Sequence, residues 1–255
     1  MNNSNIFEFP LSERIRVFMR LEQLFLQIDY FMEGNTIWDS RAVITTLLDI
    51  LTIFSRNDLK SEILKELDRH SSILSRVAQN QGVDMTKVEQ ILTELETITR
   101  DLYATNGKIG LTLMESDLFK SISQRSSIPG GTFSFDLPAY HYWLQQNDGR
   151  RKQDLNQWIK PFESIRKAIN MTLRFIRQSS MPHTEVAEAG FYQHSLDRSL
   201  SYQLLRVAID RSLPYFAEIS GGKHRFTIRF MAASTSERSV QTNENVPFEL
   251  TRCLF

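Results

Sequence analysis

The chain is poor in the residues that build covalent or metal-bound sites. Its 255 residues hold a single cysteine, Cys253. That rules out an intrachain disulfide and any cysteine-based zinc site, and it fits a reducing cytosol. The five histidines (His70, His141, His183, His194 and His224) are scattered and show no ligand spacing. No glycine-rich nucleotide fingerprint, Walker A loop, G-x-S-x-G elbow or H-E-x-x-H motif is present. Ser220-Gly221-Gly222-Lys223 has the look of a phosphate loop, but it leads into a strand pattern and lacks the helix N-terminus that would hold an anion. An enzyme, a metal and a cofactor are therefore not expected. Long hydrophobic runs are missing too. The most apolar stretch, residues 42–54, contains Thr45, Thr46, Asp49 and Thr52, too short and too polar to span a membrane. Met1-Asn2-Asn3-Ser4-Asn5 has no basic region and no apolar core, so it does not read as a signal peptide.

A net charge is also lacking: 30 Lys and Arg balance 30 Asp and Glu. The balance hides a gradient. Residues 1–119 carry 12 basic against 18 acidic side chains, residues 120–180 carry 10 against 4, and residues 181–255 carry 8 of each. A basic middle argues for an acidic partner surface. It falls short of the domain-wide excess expected of a nucleic-acid binder.

Hydrophobic spacing divides the chain into helices first and strands last, an α+β layout with a helical domain at 11–178 and a β-strand domain at 179–255, with residues 5–10 a candidate to join the late sheet. A strand is expected at residues 6–9, closed by Pro10, followed by a helix capped by Ser12 and running to about Met32. Further helices are expected at about 38–54, 57–79 and 84–103, with Asn80-Gln81-Gly82 as the turn of an antiparallel hairpin and Asp84 as a cap. Another is expected at 115–124. Pro129-Gly130-Gly131 reads as a tight turn, with Phe133 and Phe135 as core anchors. Asp136 is the expected cap of the helix carrying His141, Trp143 and Leu144, which Gly149 ends. One long basic helix is expected at 152–178, with Leu155, Trp158, Phe162, Ile165, Ile169 and Ile176 on its apolar face. Lys160, Lys167 and Arg174 lie on another face that also reads as ordinary solvated surface. Strands are expected at 185–193, 203–210, 224–231 and 248–255, and a loop at 233–245.

Two segments stand out as rigid presenters of side chains. The first is Ser127-Ile128-Pro129-Gly130-Gly131-Thr132-Phe133-Ser134-Phe135-Asp136-Leu137-Pro138, followed by His141, Trp143 and Leu144. The second is Ile219-Ser220-Gly221-Gly222-Lys223-His224-Arg225-Phe226-Thr227-Ile228-Arg229-Phe230. Strand alternation in the second puts Arg225, Thr227 and Arg229 on one face and Phe226, Ile228 and Phe230 on the other. Guanidiniums there suit carboxylates of a partner, because the planar fork stays charged. Arginines on the wet face of a strand are also common without function.

These two segments resemble the ZapD family of bacterial cell-division proteins, whose pattern includes S-I-P-G-G-x-x-S-F-D-L-P with a following H-x-W-L and a late I-S-G-x-K-x-R-F-x-I-R-F. Weaker matches extend the likeness from residue 7 to about 231; beyond Met231 no segment matches. The resemblance implies a cytoplasmic homodimer at midcell. It would bind the flexible C-terminal tail of the tubulin-like protein FtsZ and bundle its filaments, without catalysis. Carried onto this sequence, the residues that meet the tail would be Arg225, Arg229, Lys223, His224 and Arg151. The alternative is a nucleic-acid-binding adaptor using the basic helix 152–178.

Overall fold

A computed structural model describes residues 3–56, 58–78, 85–105, 107, 109–233 and 238–254. The chain forms two compact units, residues 19–172 and residues 1–18 together with 173–255. Helices dominate the first and antiparallel strands the second, so the fold is α+β.

The helical unit takes most of α1 (Glu13–Glu33), then α2 (Ile37–Arg56), α3 (Leu59–Val77), α4 (Met85–Ala104), α5 (Leu111–Glu115), α6 (Asp117–Ser126), α7 (Pro138–Leu144), α8 (Asp148–Ile159) and the start of α9 (Glu163–Gln178). The three-and-four spacing of α1 buries Leu21, Phe25 and Ile28, as an amphipathic helix requires. Asp58 caps α3 by accepting from Ser61 N at 3.4 Å. Asn57, the turn at 80–82 and Asp84 lie outside the described residues, while α3 and α4 pack on one another. A ring cluster ties α6, α7 and α8: Trp158 meets Phe119 edge-on at 5.1 Å and Trp143 at 5.2 Å. The Trp143 indole N–H donates to Asp154 at 3.0 Å.

Several expectations need correction. The continuous helix 152–178 is two helices. Pro161 lacks an N–H and crowds the preceding turn, so Lys160–Phe162 tighten into a 3₁₀ turn between α8 and α9. Gly149 does not end the preceding piece. It sits in the first turn of α8, whose cap is Asn147, accepting from Arg150 N at 2.8 Å. Asp136 does not cap α7; Leu137 holds that position and Asp136 pairs with Arg125 at 3.2 Å. Phe133 and Phe135 are not core anchors: they are 59% and 81% exposed.

The second unit is a sandwich of two antiparallel sheets. Sheet one has the order β1-β4-β8-β2, from β1 (Ser4–Pro10), β4 (Tyr202–Asp210), β8 (Val246–Leu254) and β2 (His183–Ala187). Its first strand comes from the N-terminal segment: Phe7 pairs with Val207 and Phe9 with Leu205. Sheet two has the order β3-β6-β5, from β3 (Phe191–Ser195), β6 (Arg225–Ala232) and β5 (Tyr215–Gly221), with short β7 (Val240–Gln241) also on β6. Phe226, Ile228 and Phe230 of β6 share one apolar core with Leu205 and Val207 of β4 and Phe248 and Leu250 of β8. The single strand expected at 185–193 is broken by Ala189 (φ 47°) and Gly190 (φ 69°), which send β2 and β3 into different sheets. Strand β5 was not foreseen, and β7 lies in a stretch read as loop. On the other side of sheet one, Glu8 accepts from Arg206 at 2.8 Å and from Arg177 of α9 at 2.8 Å.

Candidate partner-binding face

Sheet two presents the face that its sequence pattern promised. Strand β6 is central and alternates: Phe226, Ile228 and Phe230 are buried, Arg225 and Arg229 exposed and Thr227 half-buried between them. Four residues of strand separate the two arginines, about 13 Å along the backbone at roughly 3.3 Å per residue. The register sets their surroundings. Arg229 lies between Phe191 of β3 and Glu218 of β5; Thr227 lies between Gln193 and Ser220; Arg225 lies opposite Ser195. One step further, Phe216 pairs with Met231. Directly opposed residues share a face, so this outer face grades from half-buried Phe216 and Met231, through exposed Phe191, to a cationic end.

That end is the β5–β6 hairpin. Gly222 N donates to Arg225 O at 3.0 Å, closing the turn, and Leu196 N donates to His224 O at 2.8 Å. Lys223 and His224 are thereby held at the tip, both exposed and adjacent to Arg225. Four of the five expected residues thus belong to one strand and its turn.

Arg151 is the exception. It lies in the helical unit and is only 5% exposed. Its guanidinium donates to Ser40 Oγ at 3.0 Å, Asn35 O at 2.7 Å, Leu144 O at 3.3 Å and also Gln146 O. A buried cation satisfied by its own chain has no surface to offer a partner, so Arg151 is removed from the site. Sequence position beside Arg150 and Lys152 gave no sign of this, because the acceptors come from residues 35, 40, 144 and 146.

The expected basic helix has also lost much of its free charge. Beyond the break at Pro161, Arg166 forms a two-pronged pair with Asp29 and Arg177 is taken by Glu8; before it, at the start of α8, Arg150 sits 3.5 Å from Asp154. Lys160, Lys167 and Arg174 remain exposed. Phe191 and Glu218 are the residues that sequence reasoning missed. Both become neighbours of Arg229 only through strand register, which no local pattern displays. Among the described residues no group of three or more His, Cys, Asp or Glu is placed to hold a metal ion, and no helix is long and apolar enough to cross a membrane.

Comparison with known proteins gives a consistent answer. The family model for ZapD, described as a cell division protein, matches residues 19–229. A cell division protein ZapD from Methylococcus capsulatus is 47% identical over 254 residues, covering 100% of both chains. That from Nitrosomonas europaea is 39% identical over 247 residues, 97% of this chain and 94% of the relative. That from Ralstonia pickettii is 36% identical over 251 residues, 98% of this chain and 99% of the relative.

Proposed function

The chain belongs to the ZapD family of cell division proteins, and from that premise we propose that it works as a non-catalytic cross-linker of FtsZ, gripping the flexible C-terminal tail of that protein with the outer face of sheet two. The observation that carries this reading is the outward rank of Arg225 and Arg229 on a strand whose neighbours include exposed Phe191. A disordered tail with acidic and apolar residues meets complementary chemistry there: carboxylates on the guanidiniums and on Lys223 and His224, and apolar side chains on Phe191 and Phe216.

Each contact is weak, because the tail loses conformational freedom when it docks. Bundling then needs at least two tail sites on one particle. A homodimer supplies them, and neighbouring tails along a filament convert modest affinity into avidity. The protein acts in this reading in the cytoplasm, at the midcell ring.

The test is co-pelleting with FtsZ polymerised in GTP, using full-length FtsZ and a version without its tail. Pelleting only with the full-length polymer is the expected result. The Arg225→Glu/Arg229→Glu protein should lose pelleting with circular dichroism unchanged, since both side chains are exposed. Binding by the wild type should weaken steadily as salt rises, as exposed charge contacts do. Retained pelleting by the double variant removes these arginines from the site, and salt-insensitive binding transfers the main role to the apolar row.

A further inference from the structure

One charge on the outer face of sheet two is opposite in sign to the others, and a grip on carboxylates alone leaves it unused. Along β6 that face passes through rows set by strand register. Met231 beside Phe216 is apolar, Arg229 beside Glu218 carries both signs, and Thr227 beside Ser220 is neutral. Arg225 then stands at the basic hairpin. The carboxylate of Glu218 is thus set next to the inner of the two arginines, across the sheet and not along it.

Glu218 and Arg229 are both exposed. Directly opposed residues on antiparallel strands hold their Cβ atoms about 5 Å apart, so the two charged groups stand side by side in water. Among the described residues neither side chain closes a hydrogen bond or an ion pair. Both are open to a ligand, and a ligand seated on Arg229 also meets Glu218. A carboxylate placed on Arg229 comes within roughly 5 Å of the Glu218 carboxylate. Like charges at that range cost on the order of threefold in affinity at an exposed site, and a cation placed there gains about as much.

We propose that Glu218 sets the specificity of this face. It selects an extended peptide in which a basic residue adjoins an acidic one, and it discriminates against segments of purely negative charge. The rows define the rest of the pattern. In an extended chain every second side chain falls on one side. An apolar residue on Met231 and Phe216 therefore lies two positions from the carboxylate on Arg229. The carboxylate on Arg225 lies four positions further, about 13 Å at roughly 3.3 Å per residue. The basic residue sits next to the first carboxylate and turns to Glu218. Charge complementarity is what selects a peptide of both signs as the occupant. The phosphate backbone of a nucleic acid is negative throughout and has no cation to offer Glu218. Specificity here comes from a repulsive element as well as attractive ones. The inference rests on the tail-binding reading and deepens it, by stating which order of residues the face accepts.

Fluorescence anisotropy at low ionic strength, where exposed charges act most strongly, tests this with two labelled probes. The acidic probe is a short Gly/Ser peptide with one phenylalanine and two aspartates in the stated spacing. The mixed probe is the same peptide with a lysine after the first aspartate. The wild type should bind the mixed probe on the order of tenfold more tightly than the acidic one, the two threefold effects combined. Glu218→Gln should abolish that preference and Glu218→Arg should invert it, with circular dichroism unchanged. Damage to the fold would weaken both probes alike, whereas a selecting residue moves them in opposite directions. Suppose Glu218→Gln keeps the wild-type preference while Arg225→Glu/Arg229→Glu loses both probes. The inference is then overturned and the tail reading stands. Retention of both probes by the double arginine variant overturns both. Failure of the wild type to bind either probe overturns the inference, and co-pelleting with FtsZ then decides the tail reading separately. The inference equally falls if oligodeoxythymidine binds the wild type more tightly than either probe does, which makes a polyanion the occupant.

Discussion

At the scale of single residues, the clearest lesson is that equal charges have unequal roles. Arg225 and Arg229 stand in water on a strand; Arg151 is enclosed among oxygens of its own unit. Removing Arg151 would orphan several buried acceptors at once. Arg151→Ala should therefore cost about 2–4 kcal/mol of stability, read as a lower denaturant midpoint, with tail binding per folded molecule unchanged. Thr172 presents the opposite case. It is fully buried and its hydroxyl has no hydrogen-bond partner, so Thr172→Val should be neutral or stabilising by up to about 1 kcal/mol. The alternation at 224–231 was legible in the sequence because aromatic and basic residues take turns at period two. The burial of Arg151 and the exposure of Phe133 and Phe135 were not. Each is decided by whether distant residues supply acceptors or cover, and type and spacing carry no such information.

At the scale of elements, the long helices and the strands β4, β6 and β8 follow from hydrophobic periodicity, whereas the breaks between elements follow from local steric events. Pro161 was visible in the sequence, and its rule of ending helices applies here without modification. The Ala189-Gly190 break was less visible, since alternation runs through it and only the backbone reversal reveals the change of sheet. The two glycine sites nearby in kind but not in surroundings make a paired prediction. Gly190 has φ +69° and a Cβ there would lie 2.5 Å from Thr242 O and 3.2 Å from Phe230 O. Gly190→Ala should therefore destabilise by about 2–3 kcal/mol or more, the sum of left-handed strain and a backbone clash. Gly107 has φ +73° with open space around it, so Gly107→Ala should cost only the strain, about 1 kcal/mol. Thermal melts of the two variants separate the contributions. Strand β5 escaped notice because Pro214 precedes it and its outward residues mix Phe216, Glu218 and Ser220, a pattern that packing on β6 organises and sequence alone does not.

At the scale of the whole molecule, stability should be flat around neutrality and fall on both sides for different reasons. Hydrogen bonds from Thr36, Ser199 and Ser212 hold the carboxyls of Asp39, Asp197 and Asp210 below their ordinary value. Their contribution is complete above about pH 4 and is lost as the pH falls through the folded values. Burial pushes the Cys253 thiol and the Tyr140 phenol each up to about 12. Folding then favours the neutral forms, and stability present below the unfolded values, about 8.5 and 10, is lost as the pH rises toward 12. Denaturant midpoints measured across pH should show this alkaline decline, and Cys253→Ala should reduce the part that begins near pH 9. Finally, the sheet that joins the beginning of the chain to its later strands has a consequence for synthesis. Glu8 and its partner Arg206 are separated by 198 positions, so at about 5–20 residues per second the first strand waits roughly 10–40 s for β4 to leave the ribosome. Residues 19–172 emerge within that interval. Meanwhile Ile6, Phe7 and Phe9 form a short apolar strand without a neighbour, interrupted by one carboxylate. A charge inside such a segment discourages pairing with other nascent chains. The side chain that the finished sheet clasps between two guanidiniums is, until they arrive, the strand's guard against aggregation.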